Sequence, residues 1–175
     1  MAAALKTLAA WLPLFLVGLA CHESLHGLAV LLLGSHPELV VRPWAFSVLP
    51  LTWPSVHVAA VPPLDLSRQA LDNLAGPGIA GLGFLAAALA ARGRVLAAAL
   101  AANAAGLAFY ALIEPAYLLL DGRLDVLLGT PEVNYGVPLA LALIAALWAG
   151  AAPADQQRRR DQGGGQQDQR RPHQA

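Results

Sequence analysis

Residues 8–33 form an apolar run long enough to cross a membrane, yet five of them, His22-Glu23-Ser24-Leu25-His26, carry three ionisable groups. A spanning helix needs about 20 apolar residues, and it keeps ionisable side chains where they pair with something or do work. On a helix, histidines at i and i+4 share one face, one turn apart. That spacing suits two imidazole ligands on one metal ion, with the intervening glutamate placed to handle a water proton. At 1.5 Å rise per residue, His22 lies about 24 Å from Lys6 and about 18 Å from Gly34. The motif is therefore expected inside the hydrocarbon, nearer the face away from the N-terminus. The competing reading is two histidines and a glutamate hydrogen-bonded to neighbouring helices.

Composition agrees with a membrane solvent. The chain is 57% hydrophobic and 13% charged over 175 residues, whereas a soluble domain carries roughly a quarter charged residues. Its formal net charge is zero, so there is no basic face to collect phosphates and no nucleic-acid partner is expected. The single cysteine, Cys21, rules out a disulfide within the chain. A lipoprotein signal ending at Cys21 is disfavoured, because Gly18 stands where an aliphatic residue is normal and the apolar run continues past the cysteine. An uncleaved span is expected.

Four apolar segments emerge, about 8–33, 74–91, 95–120 and 137–152. They predict an all-α multi-pass membrane protein of four transmembrane helices, occupying residues 1–152. Lys6, Arg92, Arg94, Arg158, Arg159, Arg160, Arg170 and Arg171 would share one side, and Arg42, Arg68 and Arg123 the other. That asymmetry puts both termini in the cytoplasm, in the cell inner membrane. Between the first two spans, residues 38–61 are rich in β-branched and aromatic residues and cut by prolines, which predicts short strands lying over the membrane surface. Residues 153–175 are Gln, Arg, Asp and Gly with hardly an apolar side chain, and a disordered tail is expected.

Other polar residues have plainer expectations. Asn103, inside the third segment, predicts an interhelical hydrogen bond, and Asn73 predicts either a helix N-cap ahead of Gly76-Pro77 or a partner to a ligand or substrate. His57 sits in an apolar strand-like run, either as a surface imidazole or within reach of the metal. His36 precedes Pro37 at a helix exit and suits a cap or interface. Asp125 lies one turn from Asp121 and suits a solvated loop or an alternative ligand. Trp44, Trp53 and Trp148 fit interfacial anchoring, and His173 in the tail has no assigned role.

The stretch Cys21-His-Glu-Ser-Leu-His-Gly-Leu-Ala-Val-Leu-Leu-Leu-Gly34 resembles the first core helix of the site-2 protease family of intramembrane zinc metalloproteases. Asn73-Leu-Ala-Gly-Pro-Gly-Ile-Ala-Gly-Leu resembles the Gly-Pro opening of that family's second helix, and Leu120-Asp121-Gly122 its later Leu-Asp-Gly. The likeness covers about residues 15–128 in the right order, as in a small divergent member. It implies that His22, His26 and Asp121 hold Zn²⁺, that water takes the fourth position, and that Glu23 is the general base. The implied reaction is hydrolysis of a peptide bond in a membrane-anchored protein or peptide substrate. That substrate must unwind first, because an intact helix hides its carbonyls.

One departure bears on the third ligand. Where the family often carries Asn-Pro, this chain has Glu114-Pro115. A carboxylate there suits a ligand, a partner to a ligating histidine, or a clamp on substrate. Residues 95–120 as one straight helix would rise roughly 39 Å, which leaves Asp121 too shallow to meet His22 unless the chain bends near Pro115 or dips back over residues 118–128. Two other readings stay open: a non-catalytic metal-binding or structural membrane protein of the same fold, and an ion or proton transporter.

Overall fold

The computed structural model describes residues 1–45, 52–120 and 130–151, apart from the side chains of Trp44 and Trp53. Asp121, Arg123, Asp125, His173 and the polar tail lie outside the described residues, as does whatever anchoring Trp44 and Trp53 provide. Within them the elements run α1 (Ala2–Leu32), β1 (His36–Ala45), β2 (Thr52–Val61), α2 (Leu66–Ala90), α3 (Arg94–Leu119) and α4 (Pro131–Gly150). All four helices are long and apolar enough to cross a membrane. The chain is a mostly helical membrane protein with a small antiparallel hairpin between the first two spans, as its apolar segmentation predicts.

Burial explains how these helices pack. On α1 the buried residues are Thr7, Trp11, Gly18, His22, His26 and Val30. Their spacings of four and seven residues draw one narrow stripe along the helix. Leu12, Leu16, Leu28 and Leu31 point away from it and are exposed, as apolar side chains can be in lipid, where there is no hydrophobic drive to bury them. The two histidines of the motif therefore lie on the one face of α1 that meets other helices.

That face meets α3, which packs against all three other helices. Its buried residues, among them Ala98, Ala99, Ala102, Ala104, Gly106 and Ala111, are mostly small, so neighbouring backbones approach closely. Leu107 and Tyr110 fill the remaining space with Ala80 and Phe84 of α2, while Trp11 of α1 packs with Ala99 and Ala142 of α4. Asn103 donates to the carbonyl of Ala99 at 2.9 Å, one turn back on its own helix, so its recorded bond is not the expected interhelical one.

The helices alternate in direction. Gly150 at the end of α4 lies beside Ala4 at the start of α1, and the Arg94 guanidinium stacks on Trp148 at 4.2 Å. The hairpin caps the opposite end. There α1 stops in a Schellman turn: Ser35 N–H bonds to Val30 O at 3.0 Å and Gly34 N–H to Leu31 O at 3.1 Å, with Gly34 at φ +85°, a conformation that suits glycine. His36 is thus the first strand residue, opposite Val61, and not a cap. The strands pair from His36 with Val61 to Ala45 with Thr52.

Two helices begin earlier than the apolar pattern predicts. α2 starts at Leu66 rather than near residue 74, because Asp65 caps it by accepting from the Arg68 amide at 2.9 Å. Asn73 consequently sits two turns inside the helix and is not its cap. α4 starts at Pro131 rather than near residue 137, with Pro131 at its first positions, where the missing N–H costs nothing.

Candidate metal centre

The stripe on α1 brings His22 and His26 to the middle of the bundle, where α3 supplies Glu114. The two imidazoles face one another, Nε2 to Nε2, at 2.8 Å. Glu114 Oε1 lies 3.3 Å from His22 Nε2, and Glu114 Oε2 lies 3.3 Å from His26 Nε2. Around a tetrahedral ion with ligand bonds of 2.0–2.1 Å, neighbouring donors are about 3.3 Å apart. The triangle of 2.8, 3.3 and 3.3 Å has roughly that size, so these residues fit a small divalent cation. Among the described residues, this is the group of His, Cys, Asp or Glu side chains that could hold a metal. Asp121, the third ligand implied by resemblance, lies outside the described residues, and Glu114, expected as a ligand, partner or clamp, is the carboxylate observed beside both rings.

α2 braces the cluster through Asn73, expected as a cap or as a partner to the site, and through Asp72 and Gln69, which the sequence did not mark. Asp72, only 2% exposed, accepts from His26 Nδ1 at 3.1 Å. That bond orients the ring so that Nε2 turns toward Glu114 and His22, the usual arrangement for a metal-binding histidine. The Gln69 side-chain amide donates to Asp72 Oδ2 at 3.1 Å and to Asn73 Oδ1 at 2.9 Å. Asn73 in turn donates to the Glu114 carbonyl at 3.3 Å, which ties α2 to α3 at the level of the site. His22 has no such brace, since its buried Nδ1 has no hydrogen-bond partner among the described residues. No local signal marks Asp72, which stands in the polar stretch just ahead of the second apolar segment.

Gly76 has a steric reason to be glycine. A Cβ built there would lie 2.6 Å from both Cδ2 and Nε2 of the His26 ring. The α2 backbone therefore presses flat against that imidazole, which is held between α2 and the facing ring of His22.

Glu23 takes another direction. Its Oε2 accepts from the backbone N–H of Val58, on β2, at 3.0 Å, which anchors the hairpin over the site. It borders two spaces that share lining residues. One of about 510 Å³ is lined by His22, Glu23, Ser55, Val56, His57 and Tyr135, among others. The other, of about 270 Å³, reaches His26, Asp72 and Glu114. His57 is half-buried and lines both, outside the group of converging donors. Partial burial, and then the charge of Arg42, hold its pKa below the ordinary histidine value, which keeps it neutral at pH 7. The Tyr110 ring lies 5.8 Å from that of His22, and its hydroxyl donates to the Asn134 carbonyl of α4.

The arrangement offers three convergent donors, a second carboxylic side chain beside them that is held by the hairpin, and an open cleft leading in. Comparison of the chain with protein-family models, curated proteins and solved structures finds no match.

Proposed function

We propose that the chain is an intramembrane zinc metallopeptidase of the site-2 protease type, hydrolysing peptide bonds of membrane-associated substrates. The observation that supports it best is the convergence of His22 Nε2, His26 Nε2 and the Glu114 carboxylate within 4.8 Å of one another, with Glu23 bordering the same cleft. Two histidines and a glutamate form a donor set suited to a catalytic zinc ion, which keeps its fourth position open. His22, His26 and Glu114 would hold the zinc, which when bound would supply Lewis-acid polarisation of the scissile carbonyl and a water of lowered pKa. Glu23 takes the proton from that water and delivers it to the leaving amine. Asp72 and Asn73 hold His26 and the Glu114 backbone in place, and His57 lines the path of the substrate.

The substrate arrives as an unwound segment, because helical backbone has no carbonyl to offer. The outer edge of β2 borders the cleft and suits strand addition. The distribution of basic residues supports cytoplasmic termini, an orientation that would turn the hairpin and the cleft mouth to the opposite face.

Metal analysis of detergent-purified protein, beside a cleavage assay on a membrane-anchored peptide, tests the reading. Wild type is expected to hold one zinc ion and to cleave. Glu23→Gln keeps the zinc and loses cleavage, while His22→Ala and Glu114→Gln lose the zinc. Zinc retained in Glu114→Gln but lost in Asp121→Asn would move the third ligand to Asp121. Cleavage by Glu23→Gln at the wild-type rate would sink the mechanism, and zinc flux across liposomes without peptide turnover would make the protein a transporter.

A further inference from the structure

Among the described residues, β2 pairs on one side only, with β1. In an antiparallel ladder each residue's N–H and C=O point to the same side, and the side alternates along the strand. The Val58 N–H goes to Glu23, so Val58 turns its backbone groups away from its partner Leu39. The two-residue period turns Val56 the same way, and Pro54 brings no N–H at all. The donors along this edge that border the two spaces are thus Val56 and Val58, and the second is already taken by the Glu23 carboxylate.

We infer that Glu23 and an incoming extended peptide compete for the Val58 N–H, so that docking of the peptide on the free edge of β2 releases Glu23 toward the metal cluster. The inference rests on the hydrolase reading for its consequence but on the strand geometry for its premise. An edge amide in a sheet offers one hydrogen, and a peptide adding as a third strand needs it for a backbone carbonyl. Glu23 cannot keep that bond once the strand is in register. The displaced carboxylate has the rest of the shared cavity to enter, and that cavity also holds His22, His26 and Glu114. Until a peptide is aligned, the base stays tied to the hairpin, and water at the cluster meets no free proton acceptor from Glu23. The arrangement couples register to reactivity, since the residue that pairs with Val58 determines which bond lies over the metal.

The test uses two variants that both lack the base. In Glu23→Gln the side-chain amide oxygen still accepts from the Val58 N–H; in Glu23→Ala nothing does. The probe is a fluorescein-labelled octapeptide of alternating valine and threonine, with binding followed by anisotropy on zinc-loaded full-length protein in detergent. Glu23→Ala is expected to bind it about tenfold more tightly than Glu23→Gln, the worth of one hydrogen bond. Equal affinities would overturn the inference. Val58→Pro removes the N–H on a side where the ladder does not use it, so in that background the two Glu23 variants are expected to bind alike. A tenfold gap that survives Val58→Pro would also overturn it, because the effect would not run through the amide. Failure of the hydrolase reading looks different: wild type would leave the octapeptide uncut while the gap between the two variants persisted.

Discussion

Gly76→Ala separates the fold from the metal centre. The new methyl carbon would start 2.6 Å from the His26 ring, against an ordinary contact of at least 3.4 Å. The ring must therefore retreat by about 0.8 Å, and the metal-ligand distances it must satisfy tolerate only about 0.2 Å. His26 cannot simply swing, because its Nδ1 is held by Asp72 at 3.1 Å and the same movement would stretch that bond beyond about 3.5 Å, where a hydrogen bond is no longer made. Disturbing the orientation of a ligating histidine typically costs about 10–100-fold in metal affinity. Meanwhile alanine is about 1 kcal/mol better than glycine inside a helix, which offsets much of the crowding, so the metal-free protein should melt within a few degrees of wild type. The assay is a zinc competition titration against a chelating dye, paired with thermal unfolding of the metal-free protein in detergent. Wild-type zinc affinity with an unchanged melting temperature would refute the reasoning, since it would mean that the α2 backbone does not press on that ring.

The remaining predictions use the same preparations. Zinc at 100 times its dissociation constant should stabilise wild type by about 2.7 kcal/mol, and Glu114→Gln should abolish the shift; an equal shift in both would remove Glu114 from the ligand set. Asp72→Asn, which can still accept from His26 but carries no charge, should weaken zinc binding about tenfold, and Asp72→Ala should weaken it further; no change in either would show that the His26 contact is idle. Hydrogen bonds from the Ser67 hydroxyl and then the Arg68 amide lower the Asp65 pKa. A depressed folded-state value means that this cap contributes above the unfolded value of about 3.9 and is lost as pH falls through the folded value. Amides in the first turn of α2 should then exchange faster in acid, relative to the intrinsic rate, in wild type but not in Asp65→Asn; identical profiles would refute it.

Much of this architecture was legible because membrane solvent leaves a plain signature. The apolar runs gave the number of helices, and the proline-cut β-branched stretch marked the hairpin. Helix starts were harder. Ser67, Arg68 and Gln69 broke the apolar run, yet they belong to α2, because the Asp65 cap and the inward side chains of Asp72 and Asn73 carry the helix through them. Glu114 stood out as an acid deep in a span, but its meeting with His22 and His26 depends on how α3 rotates against α1, which no local pattern encodes. Asp72 was missed for the same reason: its importance comes from a contact 46 residues away in sequence.

The single inward stripe of α1 makes this helix intolerant of indels in a way its largely apolar composition conceals. One residue inserted between Trp11 and His22 would turn everything beyond it by about 100°. Either the imidazoles would swing out among the acyl chains, or Trp11 would leave its place against α3 and α4. Substitutions on the outer face among Leu12, Leu16 and Leu28 should be tolerated freely so long as they stay apolar, so drift in this segment is expected to be rich in exchanges and nearly devoid of length changes.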